Sequence, residues 1–316
     1  MAGKVHAFLV GLGVFLMLVA GVLSLRLVSA SAEPTNETKP IPASHTPTGT
    51  RTVGITTPTP SATPSTSTST TIRLTPTPTP RPTTTSSPAA QPPTWSLVWS
   101  DEFSGSTVDG AKWSASASPS DDACWTGRPE NLSVAGGVLT VHALREAFTC
   151  DLVDRSYTSG YIRARTSFTY GAFEIRAKAP GVADASGLWP GFWLGAADGS
   201  GAVDIATLYG GPGGYVNSSQ AVHTAGTQQN SSAVAGGPAG GFHTYRLEWE
   251  SGVMRWYVDG AQVWTRDATT TADFATYFAK PYYVNLNFSV GGSGGDPSSA
   301  TLPADFDVDY VRVYQR

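Results

Sequence analysis

Apolar and polar residues alternate with a period of two from about residue 95 onward. In YRLEWE, Tyr245, Leu247 and Trp249 fall on one side of the chain and charged residues fall on the other, as in a half-buried strand. Asp259 and Gly260 separate two further runs of this kind, and Asp-Gly readily adopts the positive φ of a tight hairpin turn. No window of about twelve residues keeps a helical spacing. The pattern predicts an all-β domain of two packed antiparallel sheets.

One predicted strand, PYYVNLNFSV, has an unusual polar face. Its apolar side chains share one side, and Tyr283, Asn285, Asn287 and Ser289 share the other. Hydroxyl and amide groups suit hydrogen bonding to a neutral polyhydroxyl ligand, but an ordinary polar sheet surface has the same composition. The strand alone leaves both interpretations open.

The first 32 residues are typical of a targeting segment. Lys4 precedes an uncharged run at 7–25, and Ala30-Ser31-Ala32 fits a small-residue cleavage site. The run is nearly long enough to span a membrane, and Arg26 could flank it, so an uncleaved signal anchor is the alternative to a cleaved signal peptide. Both interpretations predict export, to the extracellular space or to the cell surface.

Residues 33–94 have the composition of a linker. They contain 14 of the 23 prolines and no aromatic residue, whereas all 9 tryptophans lie at or beyond Trp95. Proline fixes φ and lacks an amide donor, so an extended, disordered Pro/Thr/Ser-rich stalk is expected. The folded domain is therefore predicted at 95–316.

Charge and cysteine content narrow the class of protein. A net charge of -4 without a basic stripe argues against a nucleic-acid partner. Cys124 and Cys150 form an even pair in a chain predicted to be exported, which favours a disulfide over two free thiols.

A set of motifs in the predicted domain resembles glycoside hydrolase family 16, in particular its laminarinase-like (endo-β-1,3-glucanase-like) members. They are WSDEF at 99–103, RPENLSV at 128–134, YTSGYIRAR at 157–165, YGAFEIRAKAP at 170–180, LWPGFWLG at 188–195, FHTYRLEW at 242–249, WYVDG at 256–260 and DVDYVRVYQ at 307–315. The resemblance implies a jelly-roll β-sandwich of the concanavalin A-like lectin and glucanase type. It also implies a concave sheet that forms a cleft for β-glucan or a related polysaccharide, in a protein expected to be a monomer.

The same resemblance implies a catalytic strand with the pattern Glu-x-Asp-x-x-Glu, in which the two Glu are nucleophile and acid/base. Retaining hydrolysis needs two carboxyl groups about 5–5.5 Å apart, and a β-bulge can bring the last position onto the face of the first. In GAVDIATLYGG these positions are Ala202, Asp204 and Thr207, so only the supporting Asp remains. Hydrolysis by the family route should be lost or very weak.

Three functions therefore stay in competition. The first is recognition of β-glucan without efficient hydrolysis. The second is an active O-glycosyl hydrolase that uses a displaced carboxylate. Outside the strand, Asp121, Asp122 and Glu130 are the candidates for that carboxylate, whereas Glu174 is interpreted as structural or surface. The third is a surface protein whose sandwich only packs against partners.

By the same resemblance, Asn131, Trp189, Trp193 and His223 would contact carbohydrate. For one tryptophan, packing in the core is the favoured alternative, and a lone His is more often a buried imidazole than a ligand. The loop SVGGSGGDPSSA, 289–300, lacks the tryptophan that many members carry there.

The resemblance further implies a structural calcium held by Glu102, Gly137 and Asp309, since hard oxygen ligands suit Ca²⁺. No catalytic cofactor is expected.

Overall fold

The computed structural model describes residues 94–316, so the predicted targeting segment and nearly all of the predicted linker lie outside the described residues. The described part is built almost entirely of strands. They are Ser96–Asp101 (β1), Trp113–Ser114 (β2), Ser118–Ser120 (β3), Ala123–Thr126 (β4), Leu132–Ala135 (β5), Val138–Cys150 (β6), Val153–Phe168 (β7), Gly171–Lys178 (β8), Leu188–Ala196 (β9), Ala202–Thr207 (β10), Gly210–Gly211 (β11), Gly214–Tyr215 (β12), Asn217–His223 (β13), Thr227–Ala233 (β14), His243–Glu250 (β15), Val253–Val258 (β16), Ala261–Asp267 (β17), Tyr282–Val290 (β18) and Ala304–Gln315 (β19). One short α-helix spans Phe274–Phe278 and one 3₁₀ turn spans Gly292–Gly294.

The strands form two largely antiparallel layers. We call one the groove sheet, with the order β14–β13–β10–β9–β18–β7–β2. The other, the outer sheet, has the order β17–β16–β15–β8–β19–β6. The long strand β7 belongs to both, because its first half pairs with β6 and its second half with β18. The architecture is the jelly-roll sandwich that the sequence predicted.

The core lies between the two sheets. The groove sheet contributes Val203, Leu194 and Leu286 to it, and the outer sheet contributes Ile175 and Leu247. All five side chains are fully buried. These are the apolar positions of the period-two pattern, so the alternation found the buried faces correctly.

The hairpin turn and the disulfide that the sequence predicted are both present in the structure. Asp259 and Gly260 connect β16 to β17 with φ of 48° and 79°. Cys124 on β4 and Cys150 at the end of β6 form a disulfide, with their Cα atoms 5.6 Å apart. The bond ties β4 to the tip of the β6–β7 hairpin.

Within Thr94–Arg316, neither helical segment has the length and apolarity needed to cross a membrane.

Candidate functional site

Ala202, Asp204 and Thr207 come to one face of the groove sheet through a β-bulge. In β10, Asp204 pairs with Trp193 and Thr207 pairs with Gly191, but the register shifts between them on both edges of the strand. The bulge moves Thr207, which is 4% exposed, to the same side as Asp204, where it lines a groove. Asp204 and Thr207 therefore share the groove face of β10, and Asp204 is the carboxyl group on this strand.

Asp204 is paired with His223 from the neighbouring strand β13. Asp204 Oδ2 lies 3.1 Å from His223 Nε2, and His223 Nδ1 lies 3.1 Å from Thr227 Oγ1. Because a carboxylate only accepts, Nε2 carries the proton, and Nδ1 of the neutral ring accepts from the Thr227 hydroxyl. The hydrogen bond to Asp204 raises the pKa of His223, burial opposes this shift, and the charge of Asp204 adds to it. The backbone is also held, since Trp256 Nε1 donates to the Asp204 carbonyl at 2.9 Å.

Trp193 lies flat along its own strand in the groove sheet. A Cβ atom on Gly195 would fall 2.9 Å from Trp193 Cζ3, and one on Gly191 would fall 3.7 Å from Trp193 Cδ1. The two glycines thus leave room for the indole to lie on the sheet, where it is half-buried. Its Nε1 donates to Asn287 Oδ1 at 2.8 Å.

Trp189 is held at the end of the groove sheet. Its Nε1 donates to the Gly291 carbonyl at 2.8 Å, and its ring stacks on Tyr209 with centroids 5.5 Å apart and an interplanar angle of 21°. Tyr209 is 40% exposed. Both tryptophans therefore lie on the groove side, and the expectation that one of them packs in the core is not what the structure shows.

The polar face of β18 differs from the expectation. Asn285, Asn287 and Ser289 are 1%, 3% and 0% exposed, because aromatic side chains cover them. Asn285 Oδ1 accepts from Tyr161 at 2.8 Å, and Asn287 Nδ2 donates to Ser289 Oγ at 2.8 Å. These groups are neither an exposed sheet surface nor a ligand-binding row. They form a hydrogen-bonded layer beneath the aromatic floor.

Asn131 does not reach the groove. It is 0% exposed, and Thr126 Oγ1 and Arg128 donate to its Oδ1 at 2.6 and 2.9 Å. Its Nδ2 donates to Thr158 Oγ1 at 3.0 Å. Glu146 closes the network by accepting from Arg128 and Thr158. The expected sugar contact of Asn131 is not supported by this placement, because its side-chain amide is fully used inside the protein.

Beyond Thr207 the groove widens into a cavity of about 530 Å³. Its lining is uncharged and rich in hydroxyl and amide groups: Thr207, Tyr209, Val216, Asn217, Ser219, Gln229, Ser231 and Ser293. Such a lining can bind a neutral polyhydroxyl chain.

Two of the other carboxylates, Glu174 and Glu130, lie away from the groove, whereas Asp121 lies beside the loop that borders the cavity. Glu174 is on the outer sheet, where it accepts from Arg246 at 3.1 Å, and Glu130 is 60% exposed beside Arg128. Asp121 packs against the loop at Gly292, where a Cβ atom would overlap its carboxyl group. Burial raises the pKa of Asp121, and the charge of Asp122 adds to this shift.

Two of the residues expected to hold calcium, Glu102 and Asp309, are paired with arginines in this structure. Glu102 accepts two hydrogen bonds from Arg312, at 2.8 and 2.9 Å, and Asp309 is paired with Arg176. A guanidinium group on each carboxylate leaves few of the oxygen ligands that Ca²⁺ requires. Within the described residues, no group of three or more His, Cys, Asp or Glu is placed to hold a metal ion. Calcium at Gly137 and its partners stays a sequence-based expectation.

Tyr161, Arg163 and Tyr209 were not singled out from the sequence, although the structure places all three on the groove sheet or at its cavity. Alternation along YTSGYIRAR puts Tyr161 and Arg163 on one face and was the available signal. Tyr209 follows a bulge, where a period of two no longer predicts direction.

The fold and the groove define a β-sandwich with an open groove that has aromatic side chains along its floor. The chain matches the model of Glycosyl hydrolases family 16 over residues 119–312. It is 34% identical over 258 residues to a beta-glucanase of Rhodothermus marinus, covering 71% of this chain and 86% of the relative. The solved laminarinase from Rhodothermus marinus superposes with a TM-score of 0.62 at 32% identity, covering 71% of this chain and 99% of that chain. The chain therefore belongs to glycosyl hydrolases family 16.

A beta-1,3-glucan-binding protein of Penaeus monodon is also similar, at 30% identity over 182 residues, covering 44% of this chain and 48% of the relative. Other relatives are longer, and the chain spans 38 to 39% of three of them.

Proposed function

We propose that this protein recognises a β-glucan-type polysaccharide in the groove and binds it without efficient hydrolysis. One observation carries the proposal: the strand that presents Ala202, Asp204 and Thr207 to the groove offers a single carboxylate, which is held by His223. β-Glucan is chosen because relatives of this chain are named as a beta-glucanase and a beta-1,3-glucan-binding protein.

The missing carboxyl groups account for the absence of efficient chemistry. The methyl group of Ala202 cannot attack an anomeric carbon, and the pKa of a threonine hydroxyl is far too high for Thr207 to protonate a leaving group. General acid/base help alone contributes roughly 10²- to 10⁴-fold to the rate, or about 3–5.5 kcal/mol. Asp204 by itself has no acid partner on the strand.

The binding surface supports recognition. Trp193 offers a flat indole face, and Trp189 with Tyr209 forms a second aromatic pair beside the uncharged cavity. Apolar C–H faces of sugar rings stack on such surfaces, and their hydroxyl groups suit the polar lining.

We also propose that the protein acts outside the cell. The uncharged run at 7–25 and the site at Ala30-Ser31-Ala32 support export, as a secreted protein or one anchored at the surface, with the 33–94 segment as a spacer. A monomer is proposed. Mass analysis of the mature protein would distinguish cleavage from anchoring, and light scattering would give the oligomeric state.

Calorimetry and an activity assay together test the central proposal. The full-length protein should bind laminarin or lichenan and release no reducing sugar above background. The double variant Ala202→Glu, Thr207→Glu should gain hydrolysis, because it restores both carboxyl groups at positions that already share a face. Efficient hydrolysis by the unaltered protein, or no binding to either glucan, would contradict the proposal.

One observation favours a second function, hydrolysis with a displaced carboxylate. Burial raises the pKa of Tyr209, and the charges of Asp204 and Asp121 add to this shift, so both carboxylates lie near this ring at the cavity. If Asp121 supplies the proton, unaltered protein hydrolyses laminarin and Asp121→Asn abolishes the activity, whereas Glu174→Gln, on the outer sheet, does not.

A further inference from the structure

Arg163 stands in the groove sheet in one row with Trp193 and Asp204. On neighbouring strands, Arg163 pairs with Asn285, Asn285 with Trp193, and Trp193 with Asp204. Directly paired residues in a sheet point to the same face, so the row runs across the strands along the groove. Three strand spacings of about 4.8 Å place Arg163 roughly 14 Å from Asp204.

The guanidinium group of Arg163 is exposed and has no acidic partner. Its Cζ lies 4.8 Å from the centre of the Tyr283 ring, which supports the side chain from one side. None of the ion pairs within residues 94–316 involves Arg163. On the outer sheet, by contrast, Arg176 and Arg312 are each bound to a carboxylate.

The neighbouring polar side chains at this end of the groove are hydrogen-bonded to one another or to the backbone. Tyr161 donates to Asn285, and Asn285 Nδ2 donates to the Tyr283 carbonyl at 2.9 Å. Asn287 is bonded to Trp193 and Ser289. Arg163 is therefore the positively charged donor in this row of paired residues.

The charges along the groove favour an anion beside Arg163. Ala202 and Thr207 carry no charge, and Asp204 accepts a hydrogen bond from His223. The distance of roughly 14 Å from Arg163 to Asp204 exceeds the Debye length of about 8 Å at physiological ionic strength, so Asp204 repels an anion there only weakly. Guanidinium is also the side chain best suited to carboxylate and sulfate-like oxygens, through charge-assisted pairs of hydrogen bonds.

We propose that Arg163 binds an anionic substituent, a carboxylate or a sulfate group, on the polysaccharide seated in the groove. The proposal rests on the proposed function, because it needs a glycan chain that lies along the row from Asp204 to Arg163. It narrows the β-glucan-type polysaccharide of the proposed function to a β-glycan with acidic groups at some positions.

Isothermal titration of the full-length protein with three probes tests the proposal. The probes are laminarin, carboxymethylated laminarin and sulfated laminarin of matched chain length, each at low and at high salt. The variants are Arg163→Gln and, as a control, Arg176→Gln. Arg176 lies at the same 4.8 Å over an aromatic ring, Phe242, but on the outer sheet.

The expected result is a preference of about two- to fivefold for at least one anionic derivative over laminarin, the range for a solvent-exposed charged pair. The preference should shrink at high salt, disappear in Arg163→Gln and persist in Arg176→Gln. The derivative that shows the larger preference identifies the anion.

Two results would overturn the assignment to Arg163. The first is equal affinity of the protein for all three probes. The second is a preference for anionic probes that Arg163→Gln and Arg176→Gln lose equally, because that would be a general effect of net charge. Both results leave the proposed function standing, because laminarin still binds. Failure of all three probes to bind would instead overturn the proposed function itself.

Discussion

Trp193→Phe keeps an aromatic ring on the groove floor and removes one hydrogen bond beneath it. Asn287 is 3% exposed, and its Oδ1 accepts from Trp193 Nε1 at 2.8 Å. Removing the donor leaves a buried oxygen unpaired, which costs about 1–3 kcal/mol. In a domain of this size, 1 kcal/mol corresponds to roughly 2–4 °C, so Tm should fall by about 2–12 °C.

Thermal unfolding and laminarin titration measure the two consequences separately. Trp193→Phe should keep most of the affinity because an aromatic face remains, whereas Trp193→Ala should lose about tenfold. Combining Trp193→Phe with Asn287→Leu removes both partners and should cost less than the sum of the single variants, with a coupling of about 0.5–1.5 kcal/mol. An unchanged Tm in Trp193→Phe, or strict additivity in the double variant, would refute the idea that the buried amides support the floor.

Three further outcomes follow from the same contacts. The pKa of His223 is raised in the folded state, so the pair with Asp204 adds stability that is complete below the unfolded pKa of about 6.5 and is lost as pH rises through the folded pKa. An NMR titration should therefore show a lower pKa for this imidazole in Asp204→Asn. Replacing Cys124 and Cys150 by Ser opens a loop with a sequence separation of 26 and should cost about 3 kcal/mol in denaturant unfolding. Gly195→Ala should tilt the indole above it, since the new Cβ would lie 2.9 Å from the ring, and weaken laminarin binding in calorimetry while the fold is retained by circular dichroism.

Much of the fold could be predicted because it follows from local rules. Tyr245, Leu247 and Trp249 alternate with charged residues, and all three are at most 1% exposed. Side chains in a strand point to opposite faces in turn, so a period of two marks the buried face without knowledge of the partner strand. The Asp-Gly turn and the disulfide follow in the same way from residue chemistry.

The sequence predicted the residues of the groove less completely, because the exposure of each side chain depends on neighbours that are distant in sequence. Asn285 is buried since Tyr161, separated by 124 positions, lies against it. Asn131 is buried since Thr158, separated by 27 positions, lies against its amide nitrogen. Neither contact leaves a periodic signal in the chain.

By itself the sequence determined which groups the protein possesses. Its resemblance to the family predicts Ala202 and Thr207 at the positions of the two carboxylic acids of retaining hydrolysis, and no folding can supply a carboxyl group that the chain lacks at those positions. The tertiary structure decided how the remaining groups are used. It joined Asp204 to His223, laid Trp193 on two glycines and left Arg163 open to the groove, because strand register and bulges set which side chains share a face.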